Sequence, residues 1–73
     1  MKRLIVQNKD YYYISKPYKE VVLRELLDTT FKEQKPVGIE TECSGVVYVP
    51  YKLLQKSIIR IVDEDYDNTN DVI

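Results

Sequence analysis

Between residues 18 and 32 the apolar side chains Val22, Leu23, Leu26, Leu27 and Phe31 recur at helical spacing. These spacings trace one stripe at about 100° per residue. Arg24, Glu25 and Asp28 lie opposite, so the pattern predicts an amphipathic helix. Ser15-Lys16-Pro17 supplies its start. Serine is a good N-cap, and proline is tolerated in the first turn, where its missing N–H would lack a partner anyway. The helix should stop before Pro36, because proline disfavours helical geometry in its predecessor.

Elsewhere the pattern has the two-residue period of strands. Residues 3–6 and Tyr11 to Ile14 are β-favouring runs separated by Asn8-Lys9-Asp10, which predicts a β-hairpin. In its second strand Tyr11 and Tyr13 share one side, and Tyr12 and Ile14 the other. Val37, Ile39 and Thr41 alternate with Gly38, Glu40 and Glu42, giving one apolar face and one acidic face. Cys43-Ser44-Gly45 can turn the chain into Val46-Val47-Tyr48-Val49, which Pro50 ends because it cannot donate to a ladder. Tyr51 to Lys56 fits a single helical turn. Ser57 to Val62, with Ile58, Ile59, Ile61 and Val62, is apolar enough for a central strand. The order β-β-α-β-β-β predicts an α+β fold, a small, mostly antiparallel sheet with the helix packed on one face. A small SH3-like or OB-like barrel with the helix across one end is the competing layout.

With 73 residues the chain makes one domain, drawn over residues 1–62, and domains of this size bury only about 60% of their unfolded surface. Cys43 is the sole cysteine and histidine is absent, so neither a disulfide nor a Cys/His zinc site can add stability. Further burial has to come from tight packing, a partner or self-association, and a homodimer is therefore expected. The start holds only Leu4, Ile5 and Val6 as an apolar run, against the roughly 7–15 residues of a signal peptide. No run approaches the roughly 20 residues of a membrane span, and a lone thiol suits a reducing cytoplasm.

The net charge of −1 divides unevenly. Asp63, Glu64, Asp65, Asp67 and Asp71 carry −5 after residue 62 with no Lys or Arg, leaving +4 on residues 1–62. Residues 63–73 accordingly read as an acidic, disordered tail. Its segment Asp63-Glu64-Asp65-Tyr66-Asp67 resembles the start of an EF-hand calcium loop, but Asn68 stands where that loop needs glycine. The bidentate glutamate would fall beyond residue 73, so no metal or other cofactor is expected.

The absence of histidine removes the commonest proton carrier near neutral pH. Cys43 has no histidine to deprotonate it, and Ser15, Ser44 and Ser57 lack a nucleophile-elbow context. Glu40 and Glu42 point the same way on one strand, a pattern that a solvated face also produces. An enzyme is not expected. Seven tyrosines, with an apolar ring and a polar tip each, suit contact surfaces instead. The expected function is a small non-enzymatic protein-interaction module. Tyr12, Tyr48 and Tyr51 are its contact residues, with Glu40 and Glu42 as a charged rim. A composition rich in lysine, isoleucine and tyrosine without alanine is what AT-rich genomes encode. A phage or mobile-element accessory protein or inhibitor of low-GC bacteria fits that composition and size. The alternative is a nucleic-acid-binding sheet using Lys52, Lys56, Arg60 and the tyrosines, although a pI of about 5.3 is low for that role.

Overall fold

Leu4, Ile5 and Val6 are three successive apolar residues, so in a strand they need cover on both sides. A computed structural model, which describes residues 1–66, gives them that cover. Its elements are β1 Lys2–Gln7, β2 Tyr12–Ile14, α1 Glu20–Glu33, β3 Val37–Glu40, β4 Val46–Val49, α2 Tyr51–Leu54 and β5 Ile58–Asp63. β1 is the middle of a three-stranded sheet ordered β2-β1-β5, with both pairings antiparallel. Leu4 and Val6 face the helix side and join the core, while Ile5 is sealed on the opposite face between Ile14 and Arg60.

The second sheet is β3–β4 alone, antiparallel from Val37↔Val49 to Glu40↔Val46. The chain is thus an α+β fold with one main helix, and its two sheets do not close into a barrel. β5, expected to be central, lies at an edge. Its side chains are at best half buried and Ile58 is 60% exposed, whereas the Leu4–Val6 run alone is sealed on both faces.

The helix also starts later than expected, and Ser15 does not cap it. The N-cap is Lys19, without a side-chain cap bond. Backbone bonds hold residues 15–18 alongside β1: Ser15 N–H donates to Leu4 O at 2.9 Å, and Lys2 and Tyr18 exchange bonds at 2.7 and 2.8 Å. Pro17, with its fixed φ, suits that extended path as well as a helix start. The Ser15 hydroxyl is buried there, accepting from Leu4 N–H at 2.8 Å and donating to Lys16 O at 2.8 Å. At the far end Gln34 takes the left-handed conformation (φ 56°) and donates to Thr30 O, stopping the helix ahead of Pro36.

The core comprises Leu4, Val6, Leu23, Val37, Ile39, Val49 and Leu54. Tyr11, Tyr13, Tyr18, Leu27 and Tyr51 are half buried against it. Of the predicted helix stripe, Leu23 is fully buried and Leu27 partly so, while Val22, Leu26 and Phe31 remain exposed. The stripe is wider than the core that receives it.

The first acidic residues after Val62 are tied to the chain start. Asp63 ends β5 and pairs with Lys2, Arg3 Nε donates to Glu64 O at 2.8 Å, and Glu64 N–H donates to Met1 O at 3.2 Å. The remainder of the expected tail, residues 67–73, lies outside the described residues. No helix among the described residues is long and apolar enough to cross a membrane.

Candidate functional site: a groove between α1 and the β3–β4 hairpin

The β3–β4 turn is built on Thr41. Its N–H and hydroxyl both donate to Gly45 O, at 2.8 and 2.7 Å, and its hydroxyl accepts from Ser44 N–H at 2.9 Å. Gly45 sits at φ +68°, where a side chain would be strained. The register turns Val37, Ile39, Val47 and Val49 toward the core. Gly38, Glu40, Val46 and Tyr48 therefore share the outer face. Because Gly38 has no Cβ, the Tyr48 ring can lie across it; a Cβ there would stand 3.0 Å from Tyr48 Cε1.

Helix α1 and the segment before it run beside this hairpin. Tyr18, Val22 and Leu26 form one wall of an open groove of about 320 Å³, with Gly38, Val46 and Tyr48 on the other. The buried Leu4, Leu23 and Ile39 reach it from the core. Val22 is 46% exposed, Leu26 36%, Val46 54% and Tyr48 73%. These four large apolar side chains thus surround one depression.

Glu40 stands at the groove's polar corner. Its Oε2 accepts from the Tyr18 hydroxyl at 2.6 Å, its Oε1 lies 3.4 Å from Lys16 Nζ, and its carbonyl accepts from Lys16 N–H at 2.8 Å. The Tyr18 hydroxyl bond, and after it Lys16, holds the Glu40 carboxyl below its ordinary value. The same bond pushes the Tyr18 phenol up. Glu40 is therefore charged at neutral pH, with acceptor capacity left over. Chemically the groove offers hydrocarbon and one carboxylate. Among the described residues no group of three or more His, Cys, Asp and Glu is placed to hold a metal ion. The EF-hand-like Asp63 is a strand residue whose carboxylate meets Lys2.

The five expected contact residues are distributed over separate surfaces. Tyr48 and Glu40 meet in the groove. Tyr12 pairs with Gln7 in register, on the opposite side of its sheet from the core-facing Tyr13. It borders a second, smaller depression with Glu42, whose carboxylate is 3.0 Å from Arg3 Nη1. Tyr51 begins α2 and packs on the core, its ring edge-on to Phe31 at 5.8 Å. Of the nucleic-acid alternative, Lys52 and Lys56 are exposed on and just after α2. Arg60 belongs to the far face of the three-stranded sheet, where it donates to Gln7 Oε1 at 2.8 Å and lies 5.4 Å from the Tyr66 ring centroid. The Tyr11 and Tyr13 rings stack at 5.1 Å, but both pack against the core.

Val22, Leu26 and Val46 were not among the expected contact residues. A signal for two of them was present: Val21-Val22-Leu23 and Leu26-Leu27 cannot all face one narrow core. Compared with protein-family models, curated proteins and solved structures, the chain matches none.

Proposed function

We propose that this chain is a non-enzymatic protein-interaction module whose partner seats an apolar side chain in the α1/β3–β4 groove and sets a basic group beside Glu40. The observation that carries this reading is the clustering of Val22, Leu26, Val46 and Tyr48 around one groove. Singly exposed apolar residues are ordinary, but a contiguous set with a polar rim marks a contact surface. A volume of about 320 Å³ is ample for one leucine-sized or aromatic anchor, the kind of residue that dominates protein interfaces. Tyr48 adds a rigid ring with few rotamers to lose. A small accessory protein or inhibitor acting on a larger assembly, in a cytoplasm that keeps the exposed Cys43 reduced, is the setting that fits.

The test uses capture by tagged protein. Leu26→Glu and Val46→Glu should each shed the partner that the natural sequence retains. Ile58→Glu, which changes a still more exposed residue on the other sheet, should keep it. All three should melt close to the unmodified protein. Retention by the first two with loss by the third would overturn the reading.

A further inference from the structure

We propose that β4 is an open edge at which two copies of this chain join, β4 to β4, into one four-stranded sheet. This goes beyond the groove, since it rests on backbone groups and either idea can fail alone. The bond from Thr41 N–H to Gly45 O makes that pair a hydrogen-bonded one. Alternation then makes Ile39↔Val47 and Val37↔Val49 bonded pairs and leaves Glu40↔Val46 and Gly38↔Tyr48 non-bonded. The N–H and C=O groups of Glu40 and Gly38 therefore point away from β4, as the Lys16 N–H bond to Glu40 O independently shows. Those of Val46 and Tyr48 point away from β3.

The two edges differ in what occupies them. Beside β3, Lys16 N–H already donates to Glu40 O, while Tyr18 N–H, which alternation would offer next, donates to Lys2 O. Beside β4, no backbone bond from any described residue reaches Val46 or Tyr48. Edge strands are ordinarily guarded by charge, proline or a bulge, and Val46–Val49 contains none of the three.

The edge is also self-complementary. A two-fold axis through Val47 sets Val46 opposite Tyr48 of the second copy, twice, and each such pair exchanges two bonds, four in all. Shifting the axis to Val46 or to Tyr48 reduces the ladder to a single pair. The Cys43–Gly45 turn lies on one side, and on the other Pro50 lacks an N–H and its carbonyl already accepts from Leu53 and Leu54. The centred register places the exposed Tyr48 ring against the exposed Val46 side chain of the other copy, with no like charges meeting. It also leaves both grooves on the same face of the joined sheet.

Light scattering over a concentration series, with residue-resolved amide exchange, tests this. The mass should rise from 8.7 kDa toward twice that. Val46 and Tyr48 amides should become protected in step, while Val47 and Val49 amides stay protected throughout. The double variant V46K/Y48K sets like charges opposite each other and should remain a single chain; V46K/Y48E sets unlike charges opposite and should still double. A single-chain mass at millimolar concentration, a doubled mass in V46K/Y48K, or a single-chain V46K/Y48E would each overturn the proposal. Failure of the groove reading is separate: Leu26→Glu would then keep its partner, whatever the mass.

Discussion

The three-stranded sheet and the β3–β4 hairpin are made of the same material, short antiparallel strands rich in Val and Ile, and they dispose of it in opposite ways. In the first, β1 is covered on both faces, and the charged side chains around it have partners: Lys2 and Arg3 form ion pairs with Asp63 and Glu42, and Arg60 donates a hydrogen bond to Gln7. In the second, Val37, Ile39 and Val49 are buried on the inner face, while Val46 and Tyr48 stay exposed on the outer one. β4 carries no charge at all. Symmetric burial is what a structural strand needs. One-sided burial with an apolar outer face adds little to monomer stability, and it gains a purpose when something covers it.

The sharpest way to break that contrast is substitution within β1. Leu4→Ala or Ile5→Ala should each cost about 2–5 kcal/mol, because both side chains are fully buried. Denaturant unfolding measures this, and an effect as mild as that of an exposed residue would end the distinction. Ser15→Ala comes next, at about 1–3 kcal/mol, because it leaves the buried Leu4 N–H without its acceptor. Its loss should appear in the same unfolding experiment. Val46→Ala and Leu26→Ala belong to the hairpin and groove; each should stay within about 1 kcal/mol in melting while weakening partner capture.

The smallest effect is electrostatic and has one representative on each side. Glu40 at the groove and Asp63 in β5 are both held below their ordinary values, by the Tyr18 hydroxyl and by Lys2. A carboxyl lowered on folding contributes stability above its unfolded value and loses it as pH falls through the folded one. The acid decline should therefore begin below the ordinary values of 4.5 for Glu40 and 3.8 for Asp63. Lys2 and Tyr18 are raised, so their contributions hold below 10.5 and 10.0 and fade as pH rises beyond those values. Melting temperature should be level in between. Glu40→Gln and Asp63→Asn should each flatten part of the acid limb, and only slightly, since both carboxylates are exposed.

Local chemistry made much of the fold legible. The element order, the position and end of the helix and the faces of β3 follow from periodicity, and the alternation of Gly38 and Glu40 with Val37 and Ile39 already sets Glu40 outside. What did not follow depended on partners distant in sequence. Ser15 has the chemistry of a cap, yet the Leu4 N–H eleven residues earlier claims its hydroxyl. Ser57 to Val62 reads as central because it is apolar, but sheet order is decided by which strand must be covered twice, and that is β1. The groove is half legible: Tyr48 and Glu40 stand out by residue type and alternation, while Val22, Leu26 and Val46 look like core residues until the width of the core is known. Tyr12 and Tyr51 join Tyr48 by residue type alone, which carries no information about faces, and Glu42 joins Glu40 by an alternation that stops where β3 ends, at Glu40.

The claim that the contact surface lies on the hairpin and helix is tested most directly by crosslinking at two matched positions. Tyr48 and Ile58 are 73% and 60% exposed, one on each sheet. A photoreactive phenylalanine replacing Tyr48 should give a covalent adduct with a protein partner on irradiation in cells of the natural source, and the same group replacing Ile58 should give none. Adducts from position 58 alone, or equally from both, would contradict the account.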